Sequence, residues 1–121
     1  MYNQAGKELA MLYDIKMESM PREELKALQL KRLQDVANRV YYNVPFYHKR
    51  FDELGVKPTD IRSLDDIRRL PFTTKQDLRD RYPLGFMAVP RENIARLHAS
   101  SGTTGQAVVG CYTKRDLKNW A

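Results

Sequence analysis

The chain of 121 residues contains a single cysteine, Cys111, and no apolar run long enough to cross a membrane. One cysteine excludes an internal disulfide and a metal cluster held by cysteines. The first residues also lack the basic stretch followed by an apolar stretch that marks a secretory signal. We therefore expect a cytoplasmic protein with no membrane partner and no metal site built from its own side chains.

Long blocks of one charge are also missing, although the net charge is +6. Acidic residues interrupt the lysines and arginines along most of the chain, which favours a mixed, solvated surface over a nucleic-acid-binding face. These interrupting acids are Glu23, Glu24, Asp35, Asp52, Glu53, Asp65, Asp66, Asp77 and Asp80. We expect no nucleic-acid partner, and keep a basic module that stacks bases on Tyr41, Tyr42 and Tyr47 as an alternative.

What the chain does have is enough apolar sequence for one modest core, with 42% hydrophobic residues. Residues 1–19 are weakly patterned, and residues 20–93 read as helical. An amphipathic helix is predicted over 22–44, with one apolar stripe: Leu25, Leu28, Leu33, Val36, Ala37, Val40 and Val44. Pro45 should end it and open a second helix over 46–54, which Gly55 can terminate. The aromatic residues around this break are expected to pack in the core.

Three capping patterns follow, each a Ser or Thr with an Asp three residues later. The pattern starting at Ser63 predicts a short helix over 64–69, and the pattern at Thr74 predicts one over 75–81. A turn over 90–93 then leads into strands. The third pattern, at Thr113, opens a last helix that contains Trp120.

The segment of greatest interest lies between two predicted strands, 94–99 and 107–112, within a β-hairpin over 94–112. It consists of Ser100, Ser101, Gly102, Thr103, Thr104, Gly105 and Gln106. Its glycines permit positive φ angles, so successive backbone N–H groups can turn inward as a nest for an anion. Its hydroxyls add donors for phosphate oxygens. The pattern predicts a phosphate-binding loop, with an ordinary hairpin turn as the alternative.

Two common nucleotide-binding motifs are absent. Gly102 and Gly105 are too close together for the P-loop of nucleotide triphosphatases, and the three-glycine fingerprint of dinucleotide-binding folds does not occur. A phosphate bound here would rely on hydroxyls and local N–H groups, because no helix N-terminus follows directly.

The order of residues 98–105, His-Ala-Ser-Ser-Gly-Thr-Thr-Gly, resembles the phosphate-binding signature of adenylate-forming enzymes. The surrounding sequence is similar to the phenylacetate–CoA ligase family from about Tyr13 to the last residue. The segments that carry this resemblance are 20–25, 28–33, 43–47, 70–75, 82–83 and 112–113. One position departs from the family pattern, because Gln106 stands where Lys usually follows the second glycine.

The resemblance implies an α+β fragment: N-terminal helices followed by a short β-hairpin that carries the loop, together forming the front part of the large N-terminal domain. Residues 1–121 would then be a single partial domain. The implied enzyme uses ATP to convert an aryl acetate to an acyl-adenylate, transfers the acyl group to CoA, and releases AMP and pyrophosphate. By resemblance, loop residues 100–106 hold the ATP phosphates, with Mg²⁺ neutralising further charge. We expect the fragment alone to be inactive.

No catalytic acid or base can be assigned. His98 could orient the loop or line the substrate entrance, but a strand histidine bonded to nearby backbone is the more common case. Cys111 is expected to be buried and inert, and His48 to lie on the surface. A stand-alone helical interaction module remains an alternative function. We also expect a homo-oligomer, such as a homodimer, formed through the open sheet edge or the helix stripe.

Overall fold

The computed structural model describes residues 13–101 and 105–120. Five α-helices are present in this part of the chain: α1 (Ile15–Glu18), α2 (Arg22–Asn43), α3 (Pro45–Glu53), α4 (Lys75–Asp80) and α5 (Lys114–Trp120). Short 3₁₀ helices cover Pro58–Asp60, Leu64–Arg69 and Arg91–Asn93, and the strands are β1 (Ile94–Ala99) and β2 (Val109–Thr113). The predicted α+β arrangement, helices first and hairpin after, is confirmed.

Helix α2 ends where the sequence predicts it will. Val44 has an extended backbone (φ −121°, ψ 104°), the conformation that the residue before a proline prefers. Pro45 then occupies the first turn of α3, where its missing N–H costs nothing. The helical path is therefore interrupted at Val44, which is itself buried.

The core forms where α2, α3 and the following turn meet. It contains Ala37, Tyr41, Phe51, Val56 and Ile61, each at most 6% exposed. Gln34 on α2 donates its side-chain N–H to the Ile61 carbonyl at 2.8 Å, which ties the turn to the helix. Core packing of the aromatic residues is confirmed for Tyr41 and Phe51, and Phe46 is also buried. It is wrong for Tyr42, which is 71% exposed.

A polar network lies on the edge of this core. Lys57 Nζ donates to the Tyr41 hydroxyl at 2.7 Å and also bonds the Asp52 carboxylate, to which Tyr41 donates at 3.0 Å. The hydrogen bonds from Lys57 and then from Tyr41 lower the pKa of Asp52, and the same network raises the pKa of Lys57. The exposed ring of His48 stacks on Tyr41 with centroids 4.4 Å apart. His48 is thus a surface residue, as expected.

The three predicted capping patterns are all present. Backbone N–H groups of Ser63, Thr74 and Thr113 each donate at 2.8 Å to the aspartate three residues later. The helix that starts after Ser63 is 3₁₀, the tighter form that suits short pieces. Helix α4 ends at Asp80, one residue before the predicted end.

Strands β1 and β2 pair antiparallel, with Leu97 opposite Cys111 and Ala99 opposite Val109. The second strand begins at Val109 instead of the predicted residue 107 and extends through Thr113. Helix α5 follows without a spacer and packs back onto both strands. Among the residues that the structure describes, no helix combines the length and the apolar character needed to cross a membrane.

Candidate phosphate-binding site

The base of the loop is closed by Ser100. Its backbone N–H donates to the Val108 carbonyl at 2.9 Å, and the Val108 N–H donates to the Ser100 Oγ, also at 2.9 Å. This pair of bonds continues the hairpin for one residue beyond Ala99 and Val109. It also explains why β2 starts later than predicted, because the Val108 N–H bonds the side chain of Ser100 instead of a backbone carbonyl.

The described loop residues are open to solvent. Ser101, Gly105 and Gln106 are exposed and lie at the tip of the hairpin, whereas Gly102, Thr103 and Thr104 lie outside the described residues. Gly105 has φ +139°, a conformation that side-chain-bearing residues rarely adopt, and an added Cβ would meet no atom within 4 Å. The need for glycine at 105 is therefore conformational and not steric.

An aromatic cluster supports one face of the hairpin. The ring of His98 lies 5.0 Å from Tyr112 and 5.3 Å from Trp120, and the latter two rings stack at 5.4 Å. Tyr112 covers Gly110, where an added Cβ would come within 3.0 Å of the tyrosine ring. His98 is thus part of a ring cluster two residues before the loop, an arrangement that neither interpretation of this histidine anticipated.

The position of Trp120 depends on the cap of α5. The Thr113 hydroxyl donates to Asp116 at 2.8 Å and accepts from the Asp116 N–H at 3.2 Å. The Thr113 backbone N–H and then its hydroxyl hold the pKa of the Asp116 carboxyl below its usual value. The cap fixes the direction of α5 at the end of β2, which directs Trp120 back toward His98.

Cys111 is less buried than expected. Its side chain is half-buried, and burial raises the pKa of the thiol, so little thiolate forms at neutral pH. In the described part of the chain, no group of three or more His, Cys, Asp or Glu side chains is placed to hold a metal ion. The residues near the loop that the structure describes offer hydroxyls and amides, not a carboxylate cage.

The tyrosines of the nucleic-acid alternative do not share one exposed surface. Tyr41 is buried, and the Tyr47 hydroxyl bonds Thr73 Oγ1 at 2.7 Å, which leaves Tyr42 at 71% exposure. Stacking of successive bases needs several accessible rings side by side. The geometry does not favour that alternative.

Comparison with curated proteins finds phenylacetate-coenzyme A ligases. The chain is 55% identical over 111 residues to the enzyme of Thermus thermophilus, which covers 92% of this chain and 25% of that protein. It is 53% identical over 105 residues to the enzyme of Aromatoleum evansii and 51% identical over 105 residues to that of Escherichia coli. The chain thus spans about a quarter of the length of these relatives. The predicted resemblance is confirmed.

Solved structures give the same answer for the fold. A 2-hydroxyisobutyryl-CoA ligase in complex with 2-HIB-AMP and CoA matches 84% of this chain and 22% of its own, with a TM-score of 0.72 and 34% identity. The same ligase in its postadenylation state matches 80% of this chain with a TM-score of 0.68 and 31% identity. No protein-family model matches the chain.

Proposed function

We propose that this chain, a homologue of the phenylacetate–CoA ligases over nine-tenths of its length, is the phosphate-binding front portion of such a ligase. The full reaction would activate an aryl acetate with ATP and transfer the acyl group to CoA. The observation that carries the proposal is the exposed position of Ser101, Gly105 and Gln106 at the tip of a closed hairpin, with Gly105 in a conformation suited to glycine. This geometry suits a nest for phosphate oxygens.

In the first half-reaction a carboxylate oxygen of the aryl acetate attacks the α-phosphorus of ATP. The bond between that phosphorus and the bridging oxygen breaks, and pyrophosphate leaves. Negative charge grows on the leaving group, so donors held in place beforehand lower the barrier. We assign this role to loop residues 100–106, with Ser100 also holding the base of the loop through its bond from Val108.

In the second half-reaction the thiol sulfur of CoA attacks the acyl carbon and its proton passes to solvent, while AMP leaves with the electron pair of the mixed anhydride bond. In the first half-reaction Mg²⁺ would neutralise charge on the ATP phosphates. Among the described residues, no group of carboxylates is placed to hold it. Gln106 contributes a neutral donor where a lysine would contribute a charge. The difference between neutral and charge-assisted hydrogen bonds weakens phosphate binding by about 1–2 kcal/mol.

A titration of the 121-residue chain with ATP–Mg²⁺ tests the loop assignment. We expect saturable binding that Ser101→Ala weakens, because it removes an exposed hydroxyl without disturbing the base of the loop. The matched control is Ser63→Ala, which removes a hydroxyl from a distant cap. Equal ATP affinity in wild type and Ser101→Ala would argue against the loop as the phosphate site.

A pyrophosphate-release assay with phenylacetate, ATP and CoA tests the second part of the proposal. We expect no turnover by the chain alone, because it spans only about a quarter of the length of the ligases that it resembles. We expect turnover when the chain replaces the matching quarter of the Thermus thermophilus ligase. An inactive but folded, ATP-binding chimera would contradict the proposal.

We also propose a cytoplasmic protein that forms a homo-oligomer. Among the residues that the structure describes, β1 pairs with β2 alone, so its other edge has no strand partner there, and Leu97 on β1 is 57% exposed. An unpaired edge of this kind favours association with a second copy. Light scattering at increasing concentration measures this, and a constant monomer mass would contradict it.

A further inference from the structure

The aromatic cluster of His98, Tyr112 and Trp120 has no part in the proposed reaction, yet it lies next to the loop. Its rings come from β1, β2 and α5, and each ring contacts the other two, with centroids 5.0 to 5.4 Å apart. Only Ala99 separates His98 from Ser100, the first residue of the loop. The cluster therefore joins the strand that enters the loop, the strand that leaves it and the helix that follows.

The hairpin depends on a covering element. A two-stranded antiparallel sheet is at best marginally stable in water unless a helix packs on it. Among the described residues, β1 and β2 form a sheet with no third strand, and α5 packs on both. Trp120 stacks on Tyr112 with 28° between the ring planes and meets the ring of His98 at 56°. These contacts attach α5 to each strand, so they hold the two ends of the loop together.

Gly110 makes room for this arrangement. It pairs with His98 across the sheet, and a Cβ at position 110 would come within 3.0 Å of the Tyr112 ring. Glycine inside a strand is usually unfavourable, because its backbone loses more entropy on folding and it offers no side chain to pack. No positive φ requires it here, since the described glycines with positive φ are Gly55 and Gly105. The Tyr112 ring explains this glycine, because the ring needs the open space to reach His98.

The cluster also lies beside the hydrogen bonds that close the loop. The Ser100 N–H donates to the Val108 carbonyl at 2.9 Å, one residue beyond the pair of Ala99 and Val109. Ser100 is exposed, so water competes for its hydrogen bonds and they hold the loop base only weakly by themselves. A contact between two aromatic rings shifts an equilibrium about 2- to 13-fold beyond the effect of the area that it buries. Trp120 makes two such contacts.

We propose that His98, Tyr112 and Trp120 are positioning residues for the phosphate-binding loop. The cluster holds β1, β2 and α5 in one arrangement, so the N–H groups and hydroxyls of the loop are in place before a triphosphate arrives. Donors that are already in place bind more tightly, because less conformational entropy is lost on binding. The effect is reciprocal, so bound triphosphate must also stabilise the cluster. The inference rests on the proposed function, in which loop residues 100–106 take the phosphates of ATP.

Titration of the 121-residue chain with ATP–Mg²⁺ tests the proposal. Trp120→Ala removes two ring contacts, and we expect it to weaken ATP affinity about three- to tenfold. Trp120→Phe keeps a ring at the same position of α5 and should restore most of the affinity. His98→Ala should weaken binding in the same way, whereas His98→Phe should not, because the contact of the ring matters and not the chemistry of the imidazole.

Gly110→Val separates the cluster from the strand. Valine favours strands, so a glycine that served only β2 could be replaced without loss of ATP affinity. The valine side chain would instead occupy the space of the Tyr112 ring. We therefore expect Gly110→Val to weaken ATP binding as much as Trp120→Ala does, although it removes no ring.

Tyr42→Ala is the matched control, because it removes a 71% exposed ring that contacts the Tyr41 ring at 5.0 Å on α2, outside the hairpin. It should leave ATP affinity unchanged. A proton NMR signal then tests the reciprocal effect in the unmodified chain. The indole N–H resonance of Trp120, the sole tryptophan, should shift when ATP–Mg²⁺ binds, since bound phosphate stabilises the cluster.

Wild-type ATP affinity in either Trp120→Ala or Gly110→Val would overturn the proposal, and so would an equal loss in Tyr42→Ala. An indole resonance that stays in place while ATP–Mg²⁺ saturates the chain would also overturn it. If Ser101→Ala weakens ATP binding and the cluster variants do not, this inference fails and the loop assignment stands. If the wild-type chain binds no ATP, the loop assignment fails and the inference falls with it.

Discussion

Replacing Ser100 by alanine separates a structural role of this hydroxyl from a phosphate-binding one. The substitution removes the acceptor of the Val108 N–H, a bond of 2.9 Å at the surface of the hairpin. A hydrogen bond of this kind contributes about 0.5–1.5 kcal/mol net, since water can replace the lost partner. With RT near 0.59 kcal/mol, opening at Val108 should become about 2- to 13-fold more frequent.

Amide hydrogen exchange measured residue by residue is the assay. Exchange of the Val108 amide should accelerate by this factor without any nucleotide, and the Leu54 amide, bonded to Arg50 O at 3.2 Å in α3, should be unaffected. Ser100→Thr keeps the hydroxyl and should restore slow exchange. If Val108 exchanges equally fast in wild type and Ser100→Ala, the hydroxyl does not close the loop and the reasoning fails.

Three further changes have defined outcomes. Gln106→Lys should strengthen ATP–Mg²⁺ binding by about 1–2 kcal/mol in a titration, because a charge replaces a neutral donor, and Gln106→Met should not. Phe51→Ala should lower the free energy of unfolding in urea by about 3–5 kcal/mol, since Phe51 is 2% exposed in the core. Asp116 has a lowered pKa when folded, so its contribution to stability is present above its ordinary value of 3.8 and is lost as the pH falls below that value. Urea unfolding at several pH values should show a weaker acid dependence for Asp116→Asn.

Each of these has an outcome that would contradict it. A lysine at 106 that leaves ATP affinity unchanged would mean that position 106 does not face the phosphates. Phe72 is 90% exposed, so Phe72→Ala serves as the control for Phe51→Ala and should change stability by less than about 0.5 kcal/mol. Identical acid dependence in wild type and Asp116→Asn would show that the cap does not hold its carboxylate charged.

Local signals in the sequence were sufficient for the helices from α2 onward, whereas α1 lies in a segment whose weak pattern predicted no definite element. Pro45 ends α2 because of its own ring geometry, and each cap depends on two residues three positions apart. These effects act over a few residues, so the pattern alone locates the elements to within a residue or two. The hairpin was predicted for the same reason, since two apolar stretches flank a segment of Ser, Thr and Gly.

Contacts between distant residues were not predictable in this way. The ring of Trp120 lies beside that of His98 because α5 turns back toward the strands at its cap. No pattern in the sequence predicts the direction in which α5 runs. Lys57 reaches Tyr41 across 16 positions. Nothing in their local patterns shows that these two side chains lie together, because that depends on how α2 and the turn after α3 are placed.

Thr113 is both the last residue of β2 and the cap of α5, so the strand passes into the helix with no hinge between them. One extra residue between Thr113 and Asp116 would abolish the cap and reorient α5, so this junction does not tolerate a change of length. Trp120, the sole tryptophan of the chain, is the last residue of α5 and packs against His98 of β1. Its fluorescence can therefore report movement of the hairpin relative to α5.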